Sequence, residues 1–161
     1  MNFRLLFGLY IIEYLDEEKM KVYVKDNTNS LTKDQKRSYT KLTRIILRRL
    51  KVNSNKELCI TFVNDETMRE YNSLYRDIRK TTDVLSFAQD GPDITILGDI
   101  IISAETAKRR SKGYRIEFDA EIINLIIHGI LHLLGYDHKH NKEAILMRKK
   151  ERELLSNLNS L

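Results

Sequence analysis

The segment EIINLIIHGILHLLGYDHKH, residues 121–140, carries the pattern H-x-x-x-H-x-x-G-x-x-H at His128, His132, Gly135 and His138. Apolar residues fill most of the other positions before the glycine, which predicts a buried helix. His128 and His132 are four residues apart, so their side chains leave the same face of that helix, about 6 Å apart along its axis. Gly135 suits a left-handed helix end, after which the chain can bring His138 back toward the same point.

Three converging imidazoles are a donor set that zinc binds. Zinc takes imidazole nitrogens at about 2.0–2.1 Å, and three protein ligands with one open position are typical of catalytic zinc. The alternative is that these are ordinary core or surface histidines, but unpaired imidazoles in so apolar a helix would cost free energy. Structural zinc sites usually close with four ligands and cysteines, and no cysteine is near this segment. The spacing therefore predicts one zinc ion per chain, bound by His128, His132 and His138.

The same histidine spacing occurs in metzincin proteases, in which a glutamate directly after the first histidine is the general base. This chain has Gly129 at that position, so a peptidase built on the segment would lack its proton acceptor. A bound metal can still activate water for attack on a phosphodiester. A zinc metallopeptidase therefore stays the alternative, and the missing glutamate argues against it.

Strands and helices alternate outside this segment. Thr32 followed by Gln35 is a capping box, which predicts the start of a helix. The stretch LCITFV predicts a buried strand with Cys59 in the core. The predicted strands are residues 21–24, 58–63, 84–87 and 98–102, and the predicted helices are residues 33–50, 65–75, 106–112 (ended by Gly113), 119–134 and 141–155. These units are too few for a doubly wound fold, so we expect an α+β domain: a small mixed sheet of about four strands surrounded by helices, with the zinc site on a central apolar helix.

Length and composition narrow the class of protein. A chain of 161 residues fits one domain, which we place at residues 20–161. Residues 1–19 are expected to be an N-terminal extension without a functional role, and Met20 is an alternative start. A single cysteine excludes an intramolecular disulfide, and no apolar run approaches the roughly 18–20 residues that cross a membrane. We therefore expect a cytoplasmic protein with no membrane partner.

The balance of charge favours an anionic partner. Lys and Arg number 28 and Asp and Glu number 23, a net charge of +5 with neutral histidines. Basic residues concentrate at residues 36–51 and 108–115, and Tyr114 in the second run offers a ring on which a base can stack. Such runs are usually plain solvated surface, but two of them on a basic chain favour phosphate contact.

The sequence resembles one known family. HGILHLLGYDH at residues 128–138 is similar to the signature of the YbeY family of bacterial metal-dependent endoribonucleases. Two further blocks resemble that family in order and spacing: YNSLYR followed after five residues by TDVLSF, at residues 71–87, and LGDIIIS at residues 97–103. The resemblance runs from about Met20 to the end of the chain. It departs from the family pattern at residues 77–81 and at Ala88, where the family often has proline.

The resemblance implies an α+β fold and cleavage of single-stranded RNA. It also implies roles in processing the 3′ end of small-subunit (16S) ribosomal RNA and in ribosome quality control. The implied zinc ligands are His128, His132 and His138, and Arg76 matches the family's functional arginine. Ribosomal RNA, the small ribosomal subunit and ribosome-associated proteins are the implied partners. A non-catalytic ribosome-binding module braced by zinc is a further alternative.

Several other residues have a functional and a plain interpretation. The planar guanidinium of Arg76 can pair with two phosphoryl oxygens, yet on physical grounds alone a solvated or salt-bridged arginine is the simpler interpretation. Asp137 either orients a ligand or caps the turn. The plain interpretation is preferred for the remaining candidates, which are a surface His140, a helix-core Met147, a turn cap at Asp83, a strand hydroxyl at Ser86 and a structural Asp99.

Overall fold

Nine elements make up the described part of the chain. The computed structural model describes residues 20–89, 91, 95–138 and 140–158, so the predicted N-terminal extension and Pro92 lie outside the described residues. The strands are β1 (Lys21–Asp26), β2 (Glu57–Val63), β3 (Val84–Ala88) and β4 (Ile96–Ser103). The helices are α1 (Lys33–Arg49), α2 (Asp65–Arg76), α3 (Ala104–Tyr114), α4 (Phe118–Leu133) and α5 (Asn141–Leu158).

The four strands form one mixed sheet in the order β1-β2-β4-β3. β1 pairs with β2 and β2 with β4 in parallel, whereas β3 pairs antiparallel to β4 with Val84 opposite Ile102. Five helices surround this sheet, which confirms the α+β prediction. None of the helices among the described residues is long and apolar enough to cross a membrane.

The main core lies between the sheet and helices α1, α4 and α5. Alternate strand residues such as Leu58, Ile60 and Ile100 point into it and are almost fully buried, as the period of a strand requires. The same alternation puts Cys59 on the other face, where it is only half-buried. The prediction that Cys59 is a core residue was therefore wrong. That second face carries a smaller cluster under α2, formed by Val63, Met68 and Leu85.

Two glycines let α4 lie close to the sheet. A Cβ on Gly129 would meet the Ile100 side chain at 2.9 Å, and a Cβ on Gly98 would meet the Leu133 side chain at 2.7 Å. The C-terminal half of α4 therefore rests directly on β4, beside the end of β3. This contact fixes the height and rotation of the helix that carries the histidines.

Helix α3 is longer than predicted at both ends. Ser103 begins it, because its hydroxyl accepts the backbone N–H of Thr106 at 3.1 Å. The left-handed residue that ends it is Arg115, with φ of 56°, and not Gly113, which lies inside the helix. The predicted end at Gly113 was wrong because an arginine adopts the conformation for which glycine is the usual signal.

Candidate metal centre

His128 and His132 point at each other from adjacent turns of α4. Their Nε2 atoms are 3.1 Å apart, and their ring centroids are 4.6 Å apart in an edge-to-face arrangement. Most other side chains of the helix enter the core, whereas these two rings are half-buried at its margin. The i, i+4 spacing has placed both imidazoles on one face, as predicted.

The turn after α4 returns His138 to this pair. Gly135 has φ of +86°, and its N–H donates to the carbonyl of His132 while that of Tyr136 donates to Leu131, each at 3.0 Å. The His138 ring then lies 5.1 Å from the His132 ring. One nitrogen from each of the three histidines lies within 4.8 Å of the others, so the cluster could hold a metal ion.

The donor atoms fit a zinc ion. Two imidazole nitrogens at about 2.0–2.1 Å from a tetrahedral centre lie about 3.3 Å from each other, close to the 3.1 Å between the two Nε2 atoms. Burial lowers the pKa of His132, and His128 and His138 lower it further, against the opposing effects of the Tyr136 backbone and Asp137. The low pKa favours the neutral imidazole, which is the form that binds metal. His138 is exposed, so solvent reaches the cluster from one side.

Glu151 is a site residue that the sequence analysis missed. Its Oε1 lies 2.8 Å from Nδ1 of His128, so the nitrogen that faces away from His132 has a carboxylate partner. Metal-binding histidines commonly have such a partner, which fixes the ring and its tautomer. One signal could have revealed it: Glu151 shares the face of α5 that carries the buried Met147 and Leu154, an unusual place for a carboxylate.

The residues around the histidines have mostly structural contacts. Asp137 Oδ1 accepts the N–H of His138 at 2.7 Å, so the carboxylate caps the turn that carries this histidine. His140 is exposed, and Met147 is buried in the core, as predicted for both. Asp83 caps Val84 through a 2.9 Å hydrogen bond, which agrees with its predicted role as a turn cap.

Arg76 lies in the last turn of α2 and is exposed. Tyr75 next to it packs on Phe87 of β3 with ring centroids 4.8 Å apart, and Asn72 donates to the carbonyl of Lys80 at 2.7 Å. These contacts anchor the end of α2 and the loop after it. In the described regions, no hydrogen bond or ion pair joins Arg76 to the histidines, so its catalytic role stays a prediction.

A cleft of about 560 Å³ opens beside the cluster, and His128 and Glu151 form part of its wall. Arg110 also lines the cleft and pairs with two carboxylates: its Nη1 is 2.8 Å from Asp83, and its Nε is 2.7 Å from Glu121. Glu121 is almost fully buried, so its partner is needed to offset the loss of hydration. The cleft lies between α3, α4 and α5, and of the three clustered histidines His128 alone lines it.

Comparison with known proteins gives one family. The family model described as "Endoribonuclease YbeY" matches residues 21–159. An Endoribonuclease YbeY of Thermoanaerobacter sp. (strain X514) is 37% identical over 134 residues, covering 74% of this chain and 84% of the relative. An Endoribonuclease YbeY of Clostridium botulinum (strain Hall) is 36% identical over 168 residues, covering 91% of this chain and 97% of the relative. The solution structure of TM1509 from Thermotoga maritima has a similar fold, with a TM-score of 0.58 at 20% identity over 86% of this chain and 92% of that one.

Proposed function

The chain belongs to the YbeY endoribonuclease family, and on this basis we propose that it is a zinc-dependent endoribonuclease acting on single-stranded RNA. In this proposal residues 20–161 form one catalytic domain. The observation that carries it is the convergence of His128, His132 and His138 on one point. The reaction class is inferred from family membership, and the histidine cluster is the proposed position of the catalytic metal.

The three histidines would hold one zinc ion per chain. Zinc is one of the divalent metals that neutral imidazole ligands bind well. Among the described residues, no cysteine lies in the cluster, so the histidines would be its protein ligands. A metal held there would supply a water of lowered pKa and would polarise phosphoryl oxygens. Three ligands leave room for both functions, whereas a structural site would be closed by a fourth side chain.

The chain's own residues have distinct tasks in this proposal. Glu151 holds His128 through Nδ1, so that Nε2 is directed into the cluster. Arg76 pairs with non-bridging oxygens of the phosphate as negative charge builds up on them during cleavage. Its exposure at the end of α2 leaves the guanidinium accessible to an RNA strand. The hydrogen bond from Asn72 to the carbonyl of Lys80 ties the loop after α2 to the helix that carries Arg76.

The substrate is proposed to be ribosomal RNA. Family resemblance points to processing of the 3′ end of the small-subunit (16S) RNA and to ribosome quality control, in the cytoplasm, with the small subunit and ribosome-associated proteins as partners. The net charge of +5 supports attraction to such a polyanion.

A peptidase is disfavoured by the packing of α4. The position after the first histidine, where metzincins have their glutamate, is Gly129. It is buried against Ile100, and a Cβ there would already meet that side chain at 2.9 Å. A glutamate at this position would have to displace the Ile100 side chain, so the packing of α4 on β4 does not accommodate the metzincin base.

The test combines cleavage with metal analysis. We expect the purified protein to contain about one zinc per chain. In single-turnover assays it should cleave an end-labelled RNA that carries the 3′ end of the small-subunit RNA. The variant His132→Ala should lose the zinc and at least about 100-fold in rate. The matched control is His140→Ala, an exposed histidine outside the cluster, which should keep both. Equal rates for His132→Ala and wild type would overturn the metal-dependent mechanism.

Arg76 is tested separately from the metal. Arg76→Ala should retain zinc and lose about 100-fold or more in cleavage rate, because charge stabilisation is lost while the cluster stays intact. Arg79→Ala, an exposed arginine three residues on, is the matched control and should cleave normally. Zinc binding without cleavage by wild-type protein would instead favour the non-catalytic module.

A further inference from the structure

The cleft beside His128 has a lining that the proposed metal chemistry does not use. Its volume of about 560 Å³ falls within the roughly 300–1,000 Å³ of typical ligand sites. Tyr114 of α3 and Asn124 of α4 face it, and Leu155 of α5 adds apolar wall. Asn124 lies one helical turn before His128, so anything held in the cleft adjoins the histidine cluster.

The charges of the cleft argue against a phosphate as its occupant. The guanidinium of Arg110 is neutralised by Asp83 at 2.8 Å and Glu121 at 2.7 Å. Glu151 adds a third carboxylate to the lining, against the one further cation of Arg152. A phosphate in the cleft would therefore lie near three carboxylates. Among the described lining residues, Arg152 is the one cation that has no carboxylate partner. The cleft suits a neutral group with a polar edge.

Tyr114 supplies a stacking surface. Tyr114 is 63% exposed, so its ring is accessible to a ligand. Arg110 lies over the ring with its Cζ 5.3 Å from the centroid, which holds the ring in place from one side. Because Tyr114 is mostly exposed, its ring can accept a second planar group, and stacking of a base on such a ring tolerates every base.

Asn124 supplies a hydrogen-bonding edge. Its half-buried amide makes no hydrogen bond to any residue in the described ranges, although it lines the cleft. An amide group has both a donor and an acceptor, as does the edge of each nucleobase. A partly buried amide without a protein partner gains most from a ligand that offers both.

We propose that this cleft binds an unstacked nucleobase of the RNA strand, with Tyr114 stacking on the base and Asn124 bonding to its edge. The inference rests on the proposed endoribonuclease function and adds a subsite next to the histidine cluster. It also gives a physical reason for single-strand preference. A base in a duplex is stacked on both sides and its edge is paired, so it would have to leave the helix first.

The experiment measures affinity for four fluorescein-labelled RNA decamers, each of one base, by fluorescence anisotropy recorded at low temperature before appreciable cleavage. Zinc-loaded wild type should prefer at least one base by about 5-fold. Tyr114→Leu should weaken binding of the preferred decamer about 10-fold, whereas Tyr114→Phe, which keeps the ring, should stay within about 2-fold of wild type. Asn124→Leu should reduce the preference among bases to within about 2-fold. Tyr23→Leu, at another exposed tyrosine on β1, is the matched control and should change nothing.

Cleavage and zinc content, measured on the same proteins, separate the possible failures. If wild type binds and cleaves RNA but Tyr114→Leu and Asn124→Leu keep its affinity and base preference, the subsite is wrong and the endoribonuclease stands. If a variant loses RNA binding together with zinc, the effect comes from the metal cluster and the base assignment is overturned. If wild type neither binds nor cleaves RNA, the proposed function fails and the subsite fails with it.

Discussion

At the scale of single residues, the carboxylate of Glu151 decides which nitrogen of His128 is available to a metal. With Oε1 2.8 Å from Nδ1, the ring is favoured in the tautomer that carries its proton on that nitrogen. The lone pair of Nε2 is then left for the cluster. Without this partner the ring could rotate or exchange tautomers, and part of the metal-binding free energy would be spent on ordering it.

Glu151→Gln should therefore weaken zinc binding about 10–100-fold without removing it. The amide is similar in size but is a weaker acceptor for the Nδ1 proton. Competition with a chelator of known affinity measures the change. Glu153→Gln is the control, because this residue lies on the same helix, is 52% exposed and pairs only with Lys150 among the described residues. Identical zinc affinity in Glu151→Gln and wild type would remove Glu151 from the site.

Asp65 is a second residue whose role depends on partners distant in the sequence. It begins α2, and its Oδ1 accepts from the hydroxyls of Ser103 and Thr106, both at 2.6 Å, while Oδ2 pairs with Arg109 at 2.6 Å. Burial raises the pKa of Asp65, but the hydrogen bonds from Arg109, Ser103 and Thr106 outweigh it and lower the pKa to about 2. The charged carboxylate thus ties α2 to the start of α3.

The lowered pKa predicts how stability depends on pH. A carboxyl that ionises more readily in the folded state stabilises the fold above its ordinary pKa of 3.8, and this contribution is lost as pH falls through about 2. Asp65→Asn should lower the free energy of unfolding by about 1–2 kcal/mol at pH 7, after allowance for partial solvent screening. Urea unfolding of both proteins should show this difference shrinking between pH 4 and pH 2.

The control for Asp65 is Asp34→Asn. Asp34 is 93% exposed and 3.9 Å from Arg37, so its loss should change the free energy of unfolding by less than about 0.5 kcal/mol. A difference between Asp65→Asn and wild type that stays constant from pH 7 to pH 2 would show that the carboxylate's charge contributes nothing.

These residues mark what the sequence could predict of the site. The proposed ligands His128, His132 and His138 lie within one helix and one turn, so their spacing alone determines their geometry. Glu151 reaches the cluster from another helix, and no local pattern encodes the packing of α5 on α4. The clustering of the three histidines was therefore predictable, whereas their carboxylate partner and the cleft required the tertiary structure.

At the scale of elements, the sheet and α4 fit together through Gly98. This residue has φ of +153°, and a Cβ on it would clash with the carbonyl oxygen of Phe87 and meet the side chain of Leu133 at 2.7 Å. A side chain would therefore strain the backbone and push α4 away from β4. The end of α4 that moves is the end that carries His132.

Gly98→Ala should lower the free energy of unfolding by about 1–3 kcal/mol and weaken zinc binding as well. Denaturant unfolding and chelator competition measure the two effects. Gly113→Ala is a matched control inside α3, where a Cβ meets nothing within 4 Å, and it should stabilise the protein by about 0.5–1 kcal/mol. A Gly98→Ala protein as stable as wild type would show that α4 has room to move.

The boundaries of the elements show where sequence signals were sufficient. The capping box at Thr32 and Gln35 begins α1 as predicted, with both reciprocal hydrogen bonds present. The predictions at α3 were wrong at both ends: the helix was expected to begin at Thr106 and to end at Gly113, but it begins at Ala104 after Ser103 and ends at Tyr114. Whether a glycine ends a helix depends on the residues that pack against the next turn, which the local sequence does not contain.

At the scale of the whole molecule, part of the positive charge of the second basic run, residues 108–115, is neutralised within the fold. In α3, Arg109 pairs with Asp65, and Arg110 pairs with Asp83 and Glu121. These two arginines brace the fold, so the count of basic residues in the sequence overstates the charge of that surface. Lys112 and Arg115 are exposed and lie within two residues of Tyr114, which lines the cleft.

If RNA enters the cleft, phosphates next to the bound base should lie near Lys112 and Arg115. Replacing both by Gln should then reduce the slope of log affinity against log salt concentration by about 1.4, because each contact with a single strand contributes about 0.7. Titrations of a labelled decamer between 50 and 200 mM salt measure this slope. Lys41→Gln with Arg49→Gln removes the same charge from exposed positions on α1 and should change the slope by less than about half as much. Equal changes for the two pairs would mean that net charge attracts the strand and that Lys112 and Arg115 make no phosphate contacts.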